Sequence, residues 1–108
     1  MRMYIAGQMS GLPDHGYSAF EAAALSWREA GYEVVSPHEL NDPAKTHEEL
    51  AATPWADYLR RDLRALLDCD GVVALPGWEA SAGASLEIHV ARALGMPVVH
   101  DAKREPKR

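Results

Sequence analysis

The chain has 108 residues, enough for one domain with a core of its own and too few for two. With 47% hydrophobic and 25% charged residues it is composed like a globular protein, and its longest weakly polar run, Gly71–Trp78, is too short to span a bilayer. A net charge of −5 argues against general binding to a nucleic-acid backbone, and a lone cysteine, Cys69, excludes an internal disulfide and any multi-cysteine metal centre.

Arg2–Gly7 reads as a short apolar strand closed by glycine. Ser18 and Glu21 have the spacing of a capping box, so the first helix is expected to open there. Phe20, Ala23, Ala24 and Trp27 form its core stripe, and Gly31 follows its end. Tyr32–Val35 predicts the second strand. From His38 to Thr53 the periodicity is weak, and a loop with one turn of helix is expected. Pro54 suits the first turn of a second helix reaching about Cys69. Gly71–Leu75 is a third, wholly apolar strand, a third helix runs from about Ser81 to Leu94, and Pro97–His100 is the fourth strand. Apolar strands alternating with helices predict an α/β domain of three layers, flavodoxin-like or Rossmann-like, around a four- to five-stranded parallel sheet. Such sheets take ligands at the carboxyl ends of their strands, here the loops after Ala6, Val35, Leu75 and Val99.

Two acids sit where the helical pattern asks for apolar residues. In the second helix Trp55, Tyr58, Leu59, Leu63, Leu66 and Leu67 make a stripe with Asp62 in its middle, while Arg60, Arg61 and Arg64 fall away from the stripe's centre. In the third, Ser85, His89 and Arg92 mark the wet side, and Glu87 points the opposite way, among Ala84, Ile88 and Ala91. Burying a carboxylate without partners is costly. Each acid taken singly fits a residue satisfied by an arginine; two on helices flanking one strand point to a shared site. Paired carboxylates beside an apolar pocket suit glycosyl chemistry, one at the sugar carbon and the other handling the proton.

Weaker signals surround them. Ser81 is either a plain N-cap or, with Gly83, part of an anion-binding helix start. The glycines of Gly7–Gly11 let backbone approach a ligand, without Rossmann or P-loop spacing. Trp78 stacks on a base or covers the core edge. The five histidines lack metal-site spacing, Asp70 reads as a cap at the far edge of the sheet, and Cys69 is assigned no chemistry.

Tyr4-Ile-Ala-Gly7, Asp62 with Asp70 eight residues on, and Ser81-x-Gly83-x-x-x-Glu87 followed by Ala93-Leu-Gly95-Met-Pro97-Val together resemble the nucleoside 2-deoxyribosyltransferase superfamily. The resemblance covers residues 3–99 and is nearest to short phage and prophage chains that open YIAGxMSGLP. It implies Glu87 as the nucleophile at C1′ of a deoxyribose, Asp62 as the aspartate assisting at base and sugar, and Tyr4 as a strand-end tyrosine lining the pocket. At the position of Ser81 the transferases carry an aspartate for the 5′-hydroxyl, whereas the 2′-deoxynucleoside 5′-monophosphate N-glycosidases carry a phosphate-binding serine. The resemblance therefore favours a nucleotide. Two departures stand beside it: Gln8 replaces a phosphate-contacting serine, and a charged tail follows the last strand where the N-glycosidases borrow a residue from a neighbouring subunit.

The implied activity is cleavage or transfer of the N-glycosidic bond of a 2′-deoxyribonucleoside or its 5′-monophosphate. Glu87, Asp62 and Tyr4 would carry it, and Gly7, Gln8, Ser10, Gly11, Trp78, Ser81 and Gly83 would hold the substrate. No metal or cofactor is expected. The partner is a small deoxynucleoside or deoxynucleotide rather than a nucleic-acid polymer or a membrane, and the chain is expected to be cytoplasmic and homo-oligomeric, a dimer or larger. Residues 1–100 would form the domain and 101–108 a charged tail. The alternative is a non-catalytic module of the same fold that senses a nucleotide. A further rival is a host-interaction protein with a vestigial pocket, marked by a Glu87 tied to an arginine such as Arg92 or Arg61 with no cavity beside it.

Overall fold

The computed structural model describes residues 1–9, 12, 14, 16–41 and 44–101, apart from the side chain of His47. Ser10, Gly11 and the tail from 102 lie outside the described residues. Strands β1 (Arg2–Ala6), β2 (Glu33–Val35), β3 (Gly71–Ala74) and β4 (Val98–His100) pair in parallel in the order β2-β1-β3-β4. This is the flavodoxin-like order expected from the alternation of strands and helices. Helices α1 (Tyr17–Glu29), α2 (His47–Ala52), α3 (Trp55–Leu67) and α4 (Ala82–Ala93) complete the domain.

The pleat of the strands sorts the core onto two faces. Tyr4, Ala6, Val72 and Ala74 meet Leu66 of α3 and Ala84, Ile88 and Ala91 of α4. Met3, Ile5, Val73 and Leu75 meet Phe20, Ala23 and Ala24 of α1. The apolar runs of β1 and β3 are thus covered on both sides, giving three layers. At the far edge Asp70 accepts the Arg2 backbone N–H at 2.8 Å, a structural cap as its sequence position suggested.

Three local expectations are corrected. Helix α1 opens at Tyr17 behind Gly16, whose φ of +74° only glycine adopts readily, and Ser18 caps nothing. The Asp14 carboxylate, a stronger acceptor than a serine hydroxyl, takes the N–H groups of Gly16 and Ser18 and the Ser18 hydroxyl as well. The stretch expected as a loop with one turn of helix holds two helical pieces, a 3-10 turn at Pro37–Glu39 and the short helix α2, the latter opened by a full capping box between Thr46 and Glu49. Finally, the stripe of α3 is narrower than its spacing suggests: Leu66 is fully buried, but Trp55 and Leu67 stand 58% and 59% exposed. Trp55 starts the helix and Leu67 ends it, where the cover of neighbouring elements gives out.

Candidate active site

Glu87 is one of two polar or charged residues buried among those described, 5% exposed on the inner face of α4. Position 87 faces the sheet because Ala84, Ile88 and Ala91 anchor the same side of the helix. Opposite it, Tyr4 stands on the same sheet face in the middle of β1, with no exposure at all. A buried phenol needs a partner. Tyr4 donates to Glu87 Oε2 at 2.6 Å, and Oε1 has no hydrogen-bond partner among the described residues.

Beyond Glu87 opens a cavity of about 580 Å³ at the carboxyl edge of the sheet. Gly7 supplies its floor after β1, Pro37 and Asn41 come from the segment after β2, and Ser81, Gly83 and Ala84 come from the start of α4. From α3 come Trp55, Tyr58, Leu59, Arg61 and Asp62, and Leu50, Ala51 and Thr53 roof it from α2 and the residue after it. The two inward acids therefore face one cavity. Gly7 lies close against Leu75: a Cβ there would stand 2.9 Å from Leu75 Cδ1 and 3.1 Å from its Cβ, so a side chain would force Leu75 to shift.

The carboxyls differ in their surroundings. Burial pushes Glu87 from the usual 4.5 to about 8; the Tyr4 hydrogen bond opposes this, the nearby Asp62 adds to it, and Arg61 weakly opposes. Asp62 is also raised by burial, against the pull of Arg61, whose Nε and Nη2 both approach Oδ1 at 2.9 Å. Tyr4 is held well above its ordinary value, first by burial and then by the negative charges of Glu87 and Asp62.

Arg61 falls away from the stripe's centre in sequence, yet it lines the cavity. Its guanidinium reaches over the cavity because acceptors wait there: Asn41 Oδ1 at 2.7 Å and the Pro37 carbonyl at 3.3 Å. Neither signal is local in sequence.

The other expected site residues divide. Ser81 and Gly83 line the cavity, and Ser81 is at the same time the N-cap of α4, its Oγ accepting from the Ala84 N–H at 3.1 Å. Tyr4 reaches the cavity only through Glu87 and does not line it. The Gln8 side-chain oxygen lies near Gly77, and Gln8 is not part of the lining. Trp78 is also elsewhere, packed between the Arg92 guanidinium and His100 with ring-centroid distances of 5.8 and 6.1 Å, and covers the core edge. Ser10 and Gly11 lie outside the described residues. Asn41, Trp55 and Tyr58 are lining residues that the sequence did not assign to the site; Trp55 and Tyr58 share the helical stripe of Asp62, whereas Asn41 carries no signal. Among the described residues no cluster of three His, Cys, Asp or Glu side chains forms a metal site. Among the described residues no helix is long and apolar enough to cross a membrane.

The same architecture occurs in solved structures. A 2-deoxyribosyltransferase from Leishmania mexicana superposes with a TM-score of 0.66 at 19% identity, over 92% of this chain and 62% of that one. The 2-deoxyribosyltransferase from Bacillus psychrosaccharolyticus also gives 0.66, at 17% identity, over 98% of this chain and 77% of that one. A conserved protein from Enterococcus faecalis gives 0.59 at 27% identity, covering 93% and 62%. The chain thus spans under two thirds of the Leishmania and Enterococcus chains. No curated protein matches the sequence. The fold is that of the 2-deoxyribosyltransferases. The chain belongs to the family described as Domain of unknown function (DUF4406), which it matches over residues 1–100.

Proposed function

We propose that this domain breaks or transfers the N-glycosidic bond of a 2′-deoxyribonucleoside or its 5′-monophosphate, with Glu87 as the nucleophile. The observation that carries the reading is a buried carboxyl, steadied on one oxygen by a tyrosine, facing a cavity that a second carboxyl shares. The relatedness in fold to 2-deoxyribosyltransferases supports the glycosyl class of reaction.

The unequal carboxyls suggest how the proton moves. Glu87 holds its proton near neutral pH, whereas Asp62 sits beside a guanidinium and gives its proton up more readily. When substrate enters, the Glu87 proton passes to Asp62, and the freed carboxylate attacks C1′. The C1′–N bond breaks, its electron pair stays on the base nitrogen, and that nitrogen takes the proton from Asp62. The products are a glycosyl ester on Glu87 and the neutral base, so atoms and charge balance. Water or a second base then releases the sugar. Tyr4 keeps Oε2 fixed so that Oε1 faces C1′. Ser81 and the free N–H groups at the start of α4 hold the 5′ end, hydroxyl or phosphate. Association into a dimer or larger assembly is part of the same proposal, to be read from the mass in solution.

Chromatography tests the reading. The purified chain is incubated with the four 2′-deoxynucleoside 5′-monophosphates, and with the free deoxynucleosides plus an acceptor base. Released or exchanged base, abolished in Glu87→Ala, is the expected outcome. Tight nucleotide binding without release from any of them would instead establish a sensing module.

A further inference from the structure

Arg61 is the one basic side chain lining the cavity among the described residues, and it is fully engaged. Nη1 is held by Asn41 Oδ1 at 2.7 Å, Nη2 approaches the Pro37 carbonyl at 3.3 Å, and the group lies 5.1 Å over the Tyr58 ring. Both contacts to Asp62, from Nε and Nη2, fall on Oδ1 at 2.9 Å. Oδ2 has no protein partner among the described residues, and Asp62 lines the cavity. The pair is half-buried, with side chains 29% and 14% exposed, so solvent screens it little. A flexible surface ion pair would need none of this scaffolding.

We propose that Arg61 is a positioning residue for Asp62: clamped from the segment after β2, it fixes one carboxylate oxygen and turns the other toward the substrate's base. This rests on the glycosyl reading of the site and adds to it the device that keeps the two carboxyls in different roles. The anchor comes from another element, so Asp62 owes its orientation to a crossover segment rather than to its own helix. Tyr17 extends the clamp, its hydroxyl accepting from Asn41 Nδ2. The charged and titratable groups that bear on Asp62 are Arg61 from α3, Glu87 from α4 and Tyr4 from β1; Asp14, before α1, lines the same cavity.

The test uses Arg61→Gln and Asn41→Ala in the full chain. The first removes the charge; the second keeps it and removes the anchor. Carboxyl-carbon NMR follows Asp62 in each, and steady-state base release gives kcat and KM against pH. In Arg61→Gln the Asp62 midpoint should rise by about one pH unit. In Asn41→Ala it should move by less. Both should lose kcat by about tenfold or more with KM little changed, because the interaction matters at the bond-breaking step. Arg61→Lys should restore the midpoint but not the rate, since an ammonium supplies charge without the planar fork. An Asp62 titration unmoved by Arg61→Gln, or full kcat in Asn41→Ala, would overturn the proposal. If the wild-type chain releases no base, the glycosyl reading fails, while the NMR arm still decides whether Arg61 governs Asp62.

Discussion

At the scale of single residues, Glu87 couples the site to stability. Its carboxyl is raised in the folded chain, from 4.5 to about 8, so between those values the native state keeps a proton that the unfolded chain has lost. Its contribution is whole below pH 4.5 and drains away as pH climbs toward 8. Glu87→Gln keeps an acceptor for the Tyr4 hydroxyl and removes the charge. We expect that variant to be more stable than wild type at pH 8.5, by on the order of 3 kcal/mol in urea titrations, with the gap closing at pH 4.5. Equal stabilities at both pH values would mean that Glu87 is not protonated by its surroundings. Tyr4→Phe should act the other way on titration: without the donor, the Glu87 midpoint rises further, readable by the same carboxyl NMR. Inward placement of both acids was legible from helical spacing alone. Their division of labour was not, because it depends on Tyr4 and Arg61, which reach them from 83 residues away and from the next position along a helix.

At the scale of elements, the cavity owes its roof to the least supported helix. Described side chains of α2 are exposed apart from the half-buried Leu50, and the helix is held by its capping box and by the Tyr58 hydroxyl on the Leu50 carbonyl. Six residues make too few turns to persist unaided. Thr46→Ala should therefore speed amide exchange across residues 47–52 while global stability falls by about 1 kcal/mol or less. Loss of protection throughout the sheet would show instead that α2 folds with the core. In sequence this stretch reads as a loop with one turn of helix because α2 has only Leu50 as a large apolar residue; the capping-box spacing of Thr46 and Glu49 is the local signal of where its helix opens. At Ser18 the reverse holds: the capping-box spacing is present, but the nearby Asp14 carboxylate accepts the N–H groups in its place. A motif states a possibility, and competing acceptors decide it.

At the scale of the whole molecule, strand order and layer assignment followed from pattern because β1 and β3 are apolar on both faces and right-handed helical crossovers leave few ways to wind a parallel sheet. The core is two thin slabs rather than one mass, and Leu66 is the main side chain α3 contributes to its slab. Leu66→Ala should cost about 2–5 kcal/mol, seen as a lower midpoint in urea, and should loosen the seating of Asp62 on the same helix. What the chain pattern does not reveal is the far wall of the cavity: Asn41 has no spacing that marks it, and Trp55 and Tyr58 have only that of an apolar stripe, which does not tell a cavity wall from a packed core.

The most direct measurement is peptide mass spectrometry on protein quenched in acid during turnover of a 2′-deoxynucleoside or its monophosphate. A deoxyribosyl ester should appear on the peptide carrying Glu87 and vanish on adding an acceptor base. Base released at full rate with that peptide unmodified, or an ester on a different side chain, would contradict the assignment of Glu87 as the attacking group.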